Sequence, residues 1–205
     1  MWTLLGCCLF AVLLATGTCL KCEVCNSIGT TCKGPMMTCG AGEDTCMILR
    51  TVIVQPPVTT QTVSKDCANS SVCNVNIPDP EINMGKGMRM RVSRTCCTGD
   101  SCQTASPSEL PPSDDTPNKL HCPGCFGVYS SECYEQRVAC TGSQNKCIEI
   151  AGNTTSYLVS VDFTSKGCAN EGVCDHLKTG FLVFGGMRTW VTKANCTAAS
   201  ATAAP

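Results

Sequence analysis

The chain has 205 residues, with 15 Lys and Arg against 16 Asp and Glu, giving a net charge of −1. That balance supplies no bulk field for nucleic acid or an anionic membrane surface. Aromatic residues make up 5% of the chain and cysteines number 21, so covalent staples, more than a large apolar core, must hold the fold.

In chain order, the first element is the apolar run Leu4 to Ala15, LLGCCLFAVLLA. It is long enough for the core of a signal peptide and too short to span a bilayer. A buried helix is the competing reading of the same run. No Lys or Arg precedes it, while the small residues Ala15, Gly17 and Cys19 allow a cut after Gly17 or after Cys19. The second cut leaves an even set of eighteen cysteines. Residues 1–19 are therefore expected to be a signal peptide, and the product a secreted, extracellular protein. About one residue in ten of the remainder is Cys, the mark of a disulfide scaffold made in an oxidising compartment.

The cysteines after Cys19 fall into two sets. Cys22, Cys25, Cys32, Cys39, Cys46, Cys67, Cys73, Cys96, Cys97 and Cys102 are separated by steps of 3, 7, 7, 7, 21, 6, 23, 1 and 5. Cys122, Cys125, Cys133, Cys140, Cys147, Cys168, Cys174 and Cys196 are separated by 3, 8, 7, 7, 21, 6 and 22. This is an internal duplication. It predicts a first domain over 20–103, a linker over 104–120, a second domain over 121–197 and a tail over 198–205. The second copy lacks counterparts of Cys97 and Cys102 together, which suggests that those two bond to each other. The linker, TASPSELPPSDDTPNKL, holds four prolines and reads as semi-extended.

Within each copy the long cysteine steps read as hairpins. Met47 to Val54 and Val58 to Ser64 flank Gln55-Pro56-Pro57. In the second copy, Gly152-Asn153 reads as the turn of the middle hairpin, followed by a strand in which Tyr157, Val159, Val161 and Phe163 alternate. Phe181 to Phe184, Gly185-Gly186 and Met187 to Val191 read as a hairpin with a two-residue turn. No helical period competes, so an all-β unit is expected.

Two cysteine motifs raise chemistry. Cys122-Pro-Gly-Cys125 has the spacing of a redox pair or of a thiolate zinc site. No strand–helix pattern surrounds it, and Cys22 and Cys25 occupy the same place in the first copy, so the scaffold reading is expected. The two histidines, His121 and His176, have no Ser or Cys nucleophile at a motif spacing, and no cofactor or metal motif appears.

Candidate binding features are few. Asn69-Ser-Ser and Asn153-Thr-Thr are glycosylation sequons, and Asn195-Cys-Thr is formally a third. Asn69 is expected near the knot of cysteines, and Asn153 at a fingertip that a glycan would keep out of any interface. In the strand read over Lys86 to Arg94, Arg89 and Arg91 share a face with Ser93, against Met88, Met90 and Val92. The stripe is either a solvated edge or a basic contact for an acidic partner. Phe181 to Phe184 is either core or a partner contact.

A CxxC start, evenly spaced cysteines, two long hairpin stretches, a CC pair and a final Cys resemble the three-finger fold of the lymphocyte-antigen/urokinase-receptor superfamily. Two such units resemble, more narrowly, the gamma-type inhibitors of secreted phospholipase A2. The segments CEVCNSIGTTC, EDTC, KDCANSSVC, NMGKGMRMRVSRTCC, CPGCFGVYSS and NKCIEIAG carry the likeness, which covers Leu20 to Cys196.

The resemblance implies a small, disulfide-rich, all-β protein of two tandem three-finger domains. It implies the pairs Cys22–Cys46, Cys25–Cys32, Cys39–Cys67, Cys73–Cys96 and Cys97–Cys102, then Cys122–Cys147, Cys125–Cys133, Cys140–Cys168 and Cys174–Cys196. Gln103 stands where the superfamily has Asn, and the second copy stops at Cys196. The resemblance further implies a secreted phospholipase A2 as partner, homo- or hetero-oligomers, and a contact in the proline-rich stretch, here Leu110-Pro111-Pro112. Cys96 to Cys102, CCTGDSC, resembles the catalytic stretch of the phospholipases themselves, but Gly99 stands where their His is required. A binding protein without enzymatic activity or cofactor is expected, and, with no apolar tail after Cys196, without a membrane anchor. The competing function is a secreted receptor ligand, decoy or pheromone-like protein that never meets a phospholipase.

Overall fold

A computed structural model describes residues 20–73, 79–99, 101–130, 132–156, 159–175, 177–184 and 187–201. The leader over 1–19, Tyr157, His176, the Gly185-Gly186 turn and the side chains of Phe181–Phe184 fall outside what is described.

The first unit comprises β1 (Lys21–Glu23), β2 (Cys25–Ile28), β3 (Met36–Thr38), β4 (Thr45–Gln55), β5 (Val58–Ala68), β6 (Glu81–Gly85) and β7 (Met88–Cys97). The second comprises β8 (Pro117–Val128), β9 (Gln136–Thr141), β10 (Lys146–Ser156), β11 (Val159–Ala169), β12 (Gly180–Phe184) and β13 (Met187–Ala198). Helix is confined among the described residues to single turns, including α1 (Ser101–Thr104) and α2 (Glu171–Cys174). Each unit sends out three fingers from a cysteine knot, and the protein is a pair of three-finger domains.

The β-branched run of β4 pairs with β5 from Thr45↔Ala68 to Gln55↔Val58, with Pro56-Pro57 at the tip. Two readings of the sequence shift. The strand expected from Lys86 begins instead at Met88, because Lys86 (φ 51°) and Gly87 (φ 76°) form the turn after β6. Two left-handed residues match the twist of a hairpin, and Gly adopts that conformation at little cost.

Gly152-Asn153 is not a turn either. β10 runs through it to Ser156 and pairs with β11 as far as Ser156↔Val159. Gly152 is needed there for close approach: a Cβ would lie 2.3 Å from the Trp190 carbonyl oxygen on β13, where the β10–β13 register shifts. A glycine inside a strand marks a bulge or a neighbouring backbone as readily as a bend.

The strands run β12-β13-β10-β11-β6-β7-β4-β5-β2 in one sheet, with β8 attached to β11 and β9 to β8, while β1 and β3 form a separate pair. The junction is β6 against β11, with Ile82 opposite Ala169 and Asn83 opposite Cys168. The largest core cluster straddles it. Ile82, Met84, Met90 and Val92 of the first unit pack with Ile148, Ile150, Phe163, Ala169, Val173 and Val191 of the second. Polar groups at the seam are satisfied across it. Asn83 donates to the Ala139 carbonyl at 3.3 Å, the Glu81 amide to Asn170 Oδ1 at 3.2 Å, and buried Gln144 to Glu81 at 3.1 Å. A buried polar group without such a partner would cost about 1–3 kcal/mol.

Candidate protein-binding surfaces

Nine disulfides stand among the described residues: Cys22–Cys46, Cys25–Cys32, Cys39–Cys67, Cys73–Cys96, Cys97–Cys102, Cys122–Cys147, Cys125–Cys133, Cys140–Cys168 and Cys174–Cys196. The two cysteines of the Cys122–Cys125 motif thus bond to different partners. Three sulfur clusters, among them Cys122, Cys140 and Cys168, come within 4.8 Å. Each of their sulfurs is half of a disulfide, whereas nucleophilic attack and metal ligation need a thiolate.

Arg89, Arg91, Leu110, Pro111 and Pro112 are brought to one place. β7 is not an edge strand, since β4 and β6 flank it, and the linker lies along its basic face. Ser93 Oγ donates to the Ser108 carbonyl at 2.7 Å, and the Ser108 amide to Thr95 Oγ1 at 2.9 Å. Arg91 donates to the Pro111 carbonyl at 2.5 Å and pairs with Glu81 at 3.6 Å, and Arg89 pairs with Asp115.

The guanidinium at Arg89 holds the Asp115 carboxyl below the usual carboxylate range, and the Thr116 amide and hydroxyl do the same for Asp114. The basic stripe expected from the sequence is therefore covered. What faces water is Glu109, Pro111, Pro112, Asp114 and Asp115, while Leu110 is half-buried. The sign of the surface is reversed because the linker brings its own acids to the arginines.

Asn69 is exposed and its amide donates to the Gly42 carbonyl at 2.7 Å. Asn153 is half-buried in β10, where its amide donates to Asp162 at 3.0 Å and its carbonyl accepts from Ser160. It is not the fingertip residue that the sequence suggested.

The first finger of the second unit, β8 and β9, presents a different kind of surface. Tyr134 is 90% exposed, Tyr129 78%, Val128 48% and Phe126 38%. The chain has only three tyrosines and five phenylalanines, so this finger spends scarce aromatic area on solvent. Monomeric proteins rarely leave such clusters uncovered without a use. Its position is fixed: β8 pairs with β11 from Cys125↔Lys166 to Val128↔Phe163, and the Tyr129 amide donates to the Asp162 carbonyl at 2.7 Å. Glu132 lies exposed between the two tyrosines. The equivalent finger of the first unit exposes Ile28, Met36 and Met37.

The phospholipase A2 inhibitor family profile matches residues 20–104, and the u-PAR/Ly-6 domain profile matches 118–201. Phospholipase A2 inhibitor NAI of Notechis ater is 40% identical over 174 residues, 85% of this chain and 86% of that protein. The chain belongs to the gamma-type phospholipase A2 inhibitor family. Two further members bear the relation out. A phospholipase A2 inhibitor gamma chain of Gloydius brevicaudus siniticus is 40% identical over 87% of this chain and 88% of its own length. The corresponding gamma chain of Elaphe climacophora is 42% identical over 83% and 84%.

In this inhibitor-family chain the aromatic finger is not evident from the sequence, where the segment CPGCFGVYSS stands out only as a family marker. The available signal is the shortness of the Cys125–Cys133 loop, which closes a finger too small to bury Phe126, Tyr129 and Tyr134 on itself.

Proposed function

We propose that this chain is a secreted protein that binds a secreted phospholipase A2 and stops it by covering the face through which substrate enters, with no chemistry of its own. The observation that carries this reading is 40% identity across 85% of the chain to a protein named as such an inhibitor. The geometry supports a mechanism by contact. Two units joined through one sheet and one core make a stiff platform, which lowers the ordering cost of binding. Tyr129 and Tyr134 on the outer finger are the residue type enriched at binding hot spots, and Glu132 between them suits a partner with basic residues around an apolar face.

The purified glycoprotein, titrated against a panel of secreted phospholipases, should inhibit at least one of them in stoichiometric proportion to binding. Replacing Tyr129 and Tyr134 together by Ala should weaken that binding about 30-fold, the scale of one hot spot of about 2 kcal/mol. Absence of both binding and inhibition across the panel would favour the receptor-ligand reading.

A further inference from the structure

Trp190 lies in β13, 58% exposed, in a chain whose aromatic content is 5%. Its neighbours explain what covers it. Asn153 stands directly opposite in β10, so both side chains leave the same face of the sheet, with Cβ atoms about 4.5–5.5 Å apart. The next residue, Val191, points the other way and is 1% exposed in the core. The bulge between Ala151 and Gly152 sets this arrangement: it turns Val191 inward and Trp190 outward at the point where Gly152 lets the two backbones touch. On the β10 and β11 side of Trp190 the outer face is polar and exposed, with Thr155, Ser160 and Asp162, and Thr192 is exposed on β13. On the other flank of Trp190, Phe181 of β12 stands opposite it in the register, and the indole is still more than half exposed.

Asn153-Thr154-Thr155 is a glycosylation sequon. We infer that Trp190 is the platform for a glycan on Asn153, with the apolar face of the first sugar ring lying on the indole. The modification balances simply. The oligosaccharide comes from a lipid-linked diphosphate donor, whose sugar C1–O bond breaks. A C1–Nδ2 bond to Asn153 forms, and the amide gives up one of its two protons. The remaining N–H still donates to Asp162, 3.0 Å from Nδ2, and the Asn153 carbonyl still accepts from Ser160. The side chain is thereby held in one orientation by β11, and the sugar starts from a fixed point on the strand next to that of Trp190. Large aromatic rings with one face free are the side chains best suited to such a contact. This inference does not depend on the phospholipase reading.

The test uses the protein secreted from eukaryotic cells, in which removal of residues 1–19 takes Trp2 away and leaves Trp190 as the remaining tryptophan. Thr155→Ala removes the sequon without touching the Asn153 side chain and leaves the Asn69 sequon intact. The parent protein should carry a glycan at Asn153 by peptide mass. Its Trp190 emission should be blue-shifted, and acrylamide should quench it about twofold less than in Thr155→Ala, as expected if half the exposed ring is covered. Trp190→Ala should lower the melting temperature of the glycosylated protein by about 2–4 °C and leave that of Thr155→Ala unchanged, a non-additive cycle. An unmodified Asn153, equal quenching in the two proteins, or additive shifts would overturn the inference.

Discussion

Gly167 sits where β11 meets the first unit, and a Cβ there would lie 2.2 Å from the Asn83 carbonyl oxygen. The oxygen belongs to the β6 backbone, so it cannot move without parting the two units. Gly167→Ala should therefore destabilise by about 1–3 kcal/mol, the usual cost of overpacking, and a denaturant titration should show an earlier midpoint. Ionic residues make a second local prediction. Lys166 reaches Glu135 at 2.6 Å and Glu149 at 2.8 Å, and Lys193 reaches Glu149 at 2.7 Å. Hydrogen bonds from Lys166 and then Lys193 pull the Glu149 carboxyl below its ordinary range, and Glu135 and then Glu149 push Lys166 up. A depressed carboxyl contributes stability above its unfolded value, about pH 4.3, and loses it as pH falls through the folded value. A raised lysine contributes below its unfolded value, about pH 10.4, and loses it above. The melting temperature should thus be level through neutral pH and fall at both ends, and Glu149→Gln should flatten the acid limb. An unchanged acid limb would contradict the role given to Glu149.

At the scale of elements, what is legible in the sequence is whatever depends on neighbours in the chain. Alternation and turn chemistry place β4, β5, β12 and β13, and the cysteine steps mark both units. The departures have two causes. Alternation carries the strand reading back over Lys86-Gly87, a local left-handed turn, while turn preference governs the reading of Gly152, which answers to the backbone of β13, more than thirty residues away in sequence. The β6–β11 junction and the docking of the linker on β7 are equally out of reach, because their partners are distant along the chain. The linker reads as a spacer by its prolines, but Ser93, Thr95, Arg89 and Arg91 give it a fixed berth. Asp115→Asn should loosen that berth, and limited proteolysis should then cut faster between Ser108 and Thr116 while the rest of the chain resists. Equal cutting rates would show that the strap is held by its backbone contacts alone.

For the whole molecule, the shared core matters more than the repeat. Ile82 is fully buried at the seam among side chains from both units, so Ile82→Ala should cost about 2–5 kcal/mol. Calorimetry of the oxidised protein should show one transition before and after that change, shifted as a unit. Two resolved transitions would mean that the units fold independently. A single stiff body also decides how a partner can be met, since the aromatic finger and the linker strap are held in fixed relation. Hydrogen exchange on the complex with a secreted phospholipase A2 from the proposed panel tests this account most directly. The account predicts protection concentrated on the finger from Phe126 to Arg137, with the strap from Ser108 to Thr116 exchanging as in the free protein. Protection of the strap and β7, with the Tyr129 and Tyr134 finger unchanged, would contradict it.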